Sequence, residues 1–399
     1  MRDPTDDPFG KYNGHEIAYV LDMLSREDDG DPRSWPQRFE EAFAEKLGVK
    51  YAVACNSGTS ALHMALFAAG VGPGDEVICP GLTVVMDAYA AIHLGAAPVF
   101  ADVDPDTFLV TPAEVAAKIT PKTKAILVVS LEGLCVDMDP IMALAGKHGL
   151  IVVEDSAQTL LGTYHGRRAG TIGHLGIYSF ENKKHMTCGS EGGMVVSNDP
   201  DLATRARKFG GIGYKHMTAS AGRTHLAMST VQDPAYERFD TIGLNYRMND
   251  ISAAVGLAQL ERLESLVDMR CRSAALFADA TKGCAWLKPQ ATPAGCENAY
   301  YTFAVKYYGG EERGVSWKDF YNRYLAAGGD GFYGACKVPY LEPALRGKTF
   351  GPTTCAKGLC PVAEDLQGRI MQFKTNYRDP SLGKKKAAVL SDLIDAIGR

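Results

Sequence analysis

Three short segments of this 399-residue chain carry side chains that can act together. Asn56-Ser57-Gly58-Thr59-Ser60 follows the apolar run Tyr51 to Ala54 and opens a stretch at helical period. A strand-to-helix turn of this kind directs unpaired backbone N–H groups and small hydroxyls at one place, where a phosphate is favoured. Glu154-Asp155-Ser156-Ala157-Gln158 ends the apolar run Leu150 to Val153, the position at which open α/β sheets hold their ligands. Tyr178-Ser179-Phe180-Glu181-Asn182-Lys183-Lys184-His185 precedes the glycine-rich Cys188-Gly189-Ser190-Glu191-Gly192-Gly193. A lysine in a mostly apolar, glycine-lined site can lose its proton and attack aldehyde or ketone carbons, forming a Schiff base. Singly, the three have ordinary readings as a capped helix start, a salt-bridged acid and a solvated lysine pair. Their order along one chain matches what pyridoxal 5'-phosphate (PLP) needs: a phosphate cradle, an acid that keeps the pyridinium nitrogen protonated, and a lysine for the aldehyde.

The elements that must position these residues alternate. From Lys50 to about Asp199, short β-branched runs alternate with helical-period stretches, which predicts an α/β fold with a mostly parallel sheet. Strands are predicted at Tyr51 to Ala54, Glu76 to Cys79, Ala97 to Phe100, Ala125 to Val129, Leu150 to Glu154 and Met194 to Ser197. Ser60 to Ala69 and Asp139 to His148 carry apolar stripes suited to crossover helices, and another helix begins at Asp201. Gly210 to Asp240 lacks a clean period and reads as a lid or an oligomer-facing loop. Asp250 to Val267 reads as one long helix linking two domains. Tyr300 to Tyr307 as a strand, Ser316 to Ala326 as a serine-capped helix and Lys384 to Ile397 as a closing helix predict a smaller C-terminal α+β domain. The expected division is residues 1–265, an N-terminal segment with the large cofactor-binding domain, and residues 266–399.

Composition narrows the class. At 46% hydrophobic and 22% charged the chain is ordinary globular material, and its net charge of −5 offers no overall positive field for nucleic acid or anionic lipid. No run approaches the roughly 18 apolar residues of a membrane helix, and Met1 to Asp7 lacks an apolar signal core, so a cytoplasmic location is expected. The ten cysteines lack the paired spacing of zinc sites, which predicts reduced thiols and no structural metal.

An ordered set of motifs adds a resemblance over most of the chain. Ser57-Gly58-Thr59 with Ala61-Leu62-His63, Gly72 to Ile78, Glu154 to Gln158, Ser179-Phe180 with Lys184, Glu191-Gly192-Gly193 and Gly243 to Met248 resemble the DegT/DnrJ/StrS aminotransferases. These are similar to fold type I PLP enzymes and mostly aminate keto-sugars or keto-cyclitols. The resemblance implies that Lys184, five residues after Ser179, is the Schiff-base lysine and acid/base, with Lys183 a bystander. It implies that Asp155 pairs with the pyridine nitrogen and that Gln158 neighbours the ring hydroxyl. Gly58, Thr59 and Ser179 would bind phosphate. The residue matching Asn245 reaches the phosphate of a neighbouring subunit, which implies a homodimer with shared sites. The reaction implied moves an amino group from glutamate or glutamine to a carbohydrate-like carbonyl.

Three departures stand out. The family's aromatic residue after the threonine matching Thr83 is replaced by Val84 and Val85. A usual histidine is replaced by Ser130 in Ser130-Leu131-Glu132-Gly133, where Glu132 is placed to meet a hydroxyl-rich or cationic substrate. The stretch from Lys184 to Glu191 is one residue longer than usual. His185 beside Lys184 keeps open the dehydratase branch of the family, which carries histidine for lysine, and a non-catalytic relative is the third alternative. His216, His225, Arg223 and Arg247 are candidates for substrate contacts, and Phe332, Tyr333 and Tyr340 for the acceptor pocket or the core.

Overall fold

The computed structural model describes residues 7–25, 33–221, 227–334 and 337–399. Its main sheet has seven strands: β1 (Tyr51–Cys55), β2 (Glu76–Pro80), β3 (Ala97–Ala101), β4 (Thr123–Val129), β5 (Ile151–Asp155), β6 (Leu175–Ser179) and β7 (Gly193–Ser197). Their spatial order is β1-β7-β6-β5-β4-β2-β3. Only β7 runs against the rest, pairing antiparallel with both β1 and β6, while β6, β5, β4, β2 and β3 pair in parallel. The carboxyl ends of the six like-directed strands therefore lie along one edge, and that edge collects the motifs ending β1, β5 and β6.

Helices α1 (Gly58–Ala68), α2 (Met86–His93), α3 (Pro112–Lys118) and α4 (Met138–His148) connect successive strands from β1 to β5. Ser57 starts α1 by accepting the Ser60 N–H at 3.1 Å, and Gly149, with φ at 65°, stops α4. Almost every face of α1 is buried, which fits a helix set inside the core. On the other side of β6, Phe43 of the helix Trp35–Leu47 packs edge-on against Tyr178 and Phe180, at 5.2 and 5.4 Å between ring centroids. This aromatic layer fixes the strand that leads into the lysine loop.

Two expectations need correction. Leu175–Ser179 is a central strand that the sequence reading passed over. It is buried throughout, so no alternation marks it, and Gly176 lies so close to the chain that a Cβ there would fall 1.9 Å from the Gly170 carbonyl oxygen. The expected single helix from Asp250 is two, α5 (Asp250–Glu261) and α6 (Leu263–Thr281), separated at Arg262 with φ −115° and ψ 20°. The break lets the Arg262 guanidinium donate to the Lys11 carbonyl at 2.7 Å and to Glu16, tying down the chain's N-terminal segment.

Helix α6 spans two cores. Leu263, Leu266 and Val267 pack with the aromatic layer over β6, and Ala274, Phe277 and Ala280 pack with the C-terminal strands. Those strands, β8 (Leu287–Pro289), β9 (Thr302–Tyr307) and β10 (Ile370–Lys374), form an antiparallel sheet covered by α7 (Trp317–Ala326) and α8 (Pro380–Ile397). Ser316 caps α7 through the Asp319 N–H at 3.1 Å. Val338, Tyr340, Cys355, Cys360 and Leu366, although late in sequence, join the core of the main sheet. Among the described residues, no helix is long and apolar enough to cross a membrane, and no His, Cys, Asp or Glu cluster is arranged to hold a metal ion.

Candidate active site

A cavity of about 550 Å³ opens at the carboxyl edge of the sheet and brings the three segments together. Ser57, Gly58 and Thr59 line it from the start of α1, Asp155 and Ala157 from the end of β5, Ser179 from the end of β6, and Lys183 and Lys184 from the loop that follows. Val84, Val85 and Met86 add an apolar wall, and Tyr301 and Tyr333 close it from the C-terminal domain. The Ser57-Gly58-Thr59 turn is held tight. A Cβ on Gly58 would fall 2.7 Å from Ser179 Cβ, and one on Gly193 would fall 2.3 Å from the Ser57 carbonyl oxygen. Glycine at both places lets β6 and β7 close on the turn, bringing the Ser179 hydroxyl beside the amino end of α1.

The paired acids of β5 divide their work. Glu154 is buried and accepts from the Gly170 N–H at 2.8 Å, the Ile172 N–H at 2.7 Å and the Gly173 N–H, so it organises the turn before β6 rather than the cavity. Asp155, only 3% exposed, faces the cavity and accepts the Ala157 N–H at 2.8 Å. Burial pushes its carboxyl upward, while that N–H and the Lys184 ammonium pull it back toward the anion.

Lys184 sits with its ammonium 4.7 Å from the centre of the Tyr301 ring, a favourable cation–π distance. Tyr301 stacks on Tyr333 with centroids 5.5 Å apart, and Lys183 lies over Tyr333 at 5.8 Å. The lysine loop is fixed from below by Arg270 of α6. This buried guanidinium donates to the Lys183 carbonyl at 2.7 Å, the Lys184 carbonyl at 2.9 Å and the Tyr301 carbonyl at 2.8 Å. His185 turns the other way. It is buried, 2.9 Å from the Ala299 carbonyl oxygen, and burial beside Arg270 holds its imidazole well below the usual histidine range. It does not line the cavity, so the sheet edge presents a lysine and not a histidine.

Other expected residues lie elsewhere. Gln158 is buried outside the cavity lining and accepts the Glu132 N–H at 2.9 Å. Glu132 itself is not offered to a substrate: it is 1% exposed, has φ at 61°, and accepts from Thr302 and Gln372 of the C-terminal sheet, so it joins the two domains. Asn245 is exposed and outside the lining, bridging through its backbone to Gly211. His216 is exposed and stacked on Tyr236, and Arg247 is exposed beside β1. Tyr333 lines the cavity, Phe332 packs on Phe373, and Tyr340 is buried against Phe100. Arg223 and His225 lie outside the described residues.

Sequence reasoning missed Arg270, Tyr301 and Asp87. Arg270 occupies the apolar stripe of α6, a signal that a charged side chain there is buried and committed. Tyr301 belongs to a segment read only as strand. Asp87 opens α2, where an acid looks like a helix-dipole partner, yet it is fully buried.

Comparison with known proteins agrees with this geometry. Residues 17–376 match the DegT/DnrJ/EryC1/StrS aminotransferase family. The chain is 43% identical over 263 residues to the GDP-perosamine synthase of Caulobacter vibrioides, a match covering 66% of each protein. It is 36% identical to the UDP-N-acetyl-3-dehydro-alpha-D-glucosamine 3-aminotransferase of Acidithiobacillus ferrooxidans, over 84% of this chain and 81% of that one. The solved aminotransferase from Psychrobacter cryohalolentis superposes with a TM-score of 0.82 at 31% identity, over 96% of this chain and 97% of that one. A family match across nearly the whole length, with the same architecture and the motif residues gathered at one cavity, makes this chain an enzyme of the DegT/DnrJ/EryC1/StrS aminotransferase family with the fold type I architecture.

Proposed function

We propose that the protein is a PLP-dependent aminotransferase that moves nitrogen from glutamate or glutamine to a keto-sugar, sugar aldehyde or keto-cyclitol. The observation that carries the reading is the convergence of Lys184, Asp155, Ser179 and the Ser57-Gly58-Thr59 turn on one cavity of about 550 Å³. The residues present fit the cofactor, because the turn is closed against Ser179 by a glycine where any Cβ would force the two apart, and a buried acid faces a lysine across the same space.

When bound, PLP supplies an aldehyde that accepts amines and a pyridinium ring that draws electrons from the reacting carbon. Gly58 and Thr59 would hold its phosphate through backbone N–H and hydroxyl, with the Ser179 hydroxyl added from β6. Asp155 would hold the proton on the ring nitrogen. Lys184 would bind the aldehyde covalently and, once replaced by the donor's amine, move the proton at the donor's α-carbon. Arg270 keeps the backbone of that lysine from drifting, which preserves its reach. Val84 and Val85, which line the cavity, would offer the ring the apolar contact that an aromatic residue would otherwise supply.

In a homodimer, Asn245 would reach the phosphate of the neighbouring subunit's site. Phe239, Ile242, Leu244 and Ile251, all close to it in sequence, are exposed, and exposed apolar side chains of this kind suit a partner surface. The activity test incubates PLP-loaded protein with glutamate or glutamine and a panel of keto-sugars, nucleotide-linked and free. Amino product formed in step with the donor's keto acid is expected. Persistent absence of transfer with bound PLP refutes the reading in favour of a non-catalytic relative.

A further inference from the structure

Behind Asp155 stands a second acid that no step above uses. Asp87 is 0% exposed, and its carboxyl lies within hydrogen-bonding reach of the Asp155 carboxyl. Its Oδ2 accepts the Thr83 hydroxyl at 2.5 Å, and its Oδ1 receives no donor from the protein. The Thr83 backbone is held in place, since its N–H donates to the Lys337 carbonyl at 3.0 Å and its own carbonyl accepts the Lys337 N–H at 2.9 Å. Two ionised carboxylates have only acceptors to offer each other, so a hydrogen bond between them requires a proton on one.

The proton belongs to Asp87. Asp155 has the Ala157 N–H and the Lys184 ammonium to favour its anion. Asp87 is fully buried with the Asp155 charge beside it, and these hold its carboxyl well above the usual range against the opposing pull of the Thr83 hydroxyl and the Lys184 ammonium. The other titratable groups that act on it are the buried Cys79 thiol of β2, itself pushed upward, and the Lys184 ammonium, whose pull toward the anion is outweighed by burial and the Asp155 charge.

We propose that Asp87 is a positioning residue which, carrying a proton, donates to Asp155 and holds that carboxylate as the single anion presented to the cofactor's ring nitrogen. The inference rests on the PLP reading of the cavity. It makes Asp155 resistant to protonation in a site where burial alone would neutralise it, and a neutral Asp155 would no longer hold the ring proton.

The test uses the full chain, wild type with Asp87→Asn and Asp87→Leu. Asparagine keeps a neutral donor and an acceptor in the same shape, whereas leucine removes both. In the apoprotein, the infrared difference between wild type and Asp87→Asn should contain the C=O stretch of a buried protonated carboxylic acid at neutral pH. By titration of PLP, Asp87→Asn should bind near the wild-type affinity and Asp87→Leu about tenfold to a hundredfold more weakly, the range for losing a hydrogen bond to a charged group. Absence of the carboxylic-acid band overturns the proposal. So does Asp87→Leu binding PLP as tightly as wild type, an outcome that leaves the Lys184 assignment standing. If leucine prevents folding, Asp87→Asn decides, and a tenfold loss there overturns the proposal. Wild type that takes up no PLP defeats the functional reading and this inference with it, and is told apart by that control.

Discussion

Gly58→Ala is the smallest change that addresses the turn proposed to hold the cofactor's phosphate. The added methyl carbon would lie 2.7 Å from Ser179 Cβ, 3.0 Å from Ser179 Oγ and 3.4 Å from Ser179 Cα. Carbon atoms rest about 3.5 to 4.0 Å apart, so α1 and β6 must separate by roughly 0.8 Å or more. Rotating a side chain does not relieve the contact, because Ser179 Cβ is fixed to a strand paired with β7 at Gly193. Gly193 in turn bears directly on Ser57. Overpacking of this kind costs about 1–3 kcal/mol, and the separation opens the space between the α1 amino end and the Ser179 hydroxyl. If that cost falls on the PLP-bound state, the dissociation constant rises by about fivefold to 150-fold. The assay is chemical denaturation of the apoprotein together with PLP titration. Gly146→Ala serves as the control, since Gly146 lies in α4 with nothing within 4 Å of a Cβ. There alanine should stabilise by about 0.5–1 kcal/mol and leave PLP affinity unchanged. Gly58→Ala that is as stable as wild type and binds PLP equally well would refute the argument that the turn is closed by contact with Ser179.

Further outcomes follow from neighbouring features. Arg270→Met leaves the carbonyls of Lys183, Lys184 and Tyr301 without their buried donor, so amide hydrogen exchange across residues 181–186 should quicken while β1 to β4 stay protected. Unchanged exchange there would show that the lysine loop is held by other contacts. His63 is pushed down from 6.5 to about 4 by burial and by His93, so between those values the unfolded chain binds a proton that the folded one refuses. Stability should therefore fall as pH drops from about 6.5 toward 4, and His63→Gln should flatten that fall in denaturation curves taken across the range. A slope indifferent to the substitution would contradict this placement. Glu132→Ala removes the buried acceptor for Thr302 and Gln372, and is expected to destabilise the protein by about 1–3 kcal/mol in denaturant melts; an unchanged midpoint would speak against the domain link.

The parallel sheet was legible because its strands are short β-branched runs separated by stretches at helical period, and burial on both faces preserves that contrast. Leu175–Ser179 escaped because its glycine, tyrosine and serine serve packing and the site, leaving only Leu175 and Ile177 to signal a strand. The break at Arg262 was invisible for a different reason. The apolar spacing of Leu257, Leu260, Leu263 and Leu266 continues across it, and what stops the helix is a tie to Lys11 and Glu16 at the far end of the chain. The site shows the same division. Ser57, Gly58, Thr59, Asp155, Ser179 and Lys184 stand at strand ends, where local sequence places a side chain on the ligand edge. Asp87, Arg270 and Tyr301 come to that edge through tertiary contacts with β5, the lysine loop and each other's domains, and nothing in their local sequence announces the partner. Glu132, read as a substrate contact from its position after β4, is instead consumed by the C-terminal sheet.

The most direct test of the central claim is to load the purified protein with PLP, reduce it with borohydride, and map the modified peptide by mass spectrometry. A phosphopyridoxyl group on Lys184, absent from Lys183 and lost in Lys184→Ala, is the predicted result. PLP that binds without being fixed to Lys184 on reduction, or that is fixed to Lys183 instead, would contradict the account.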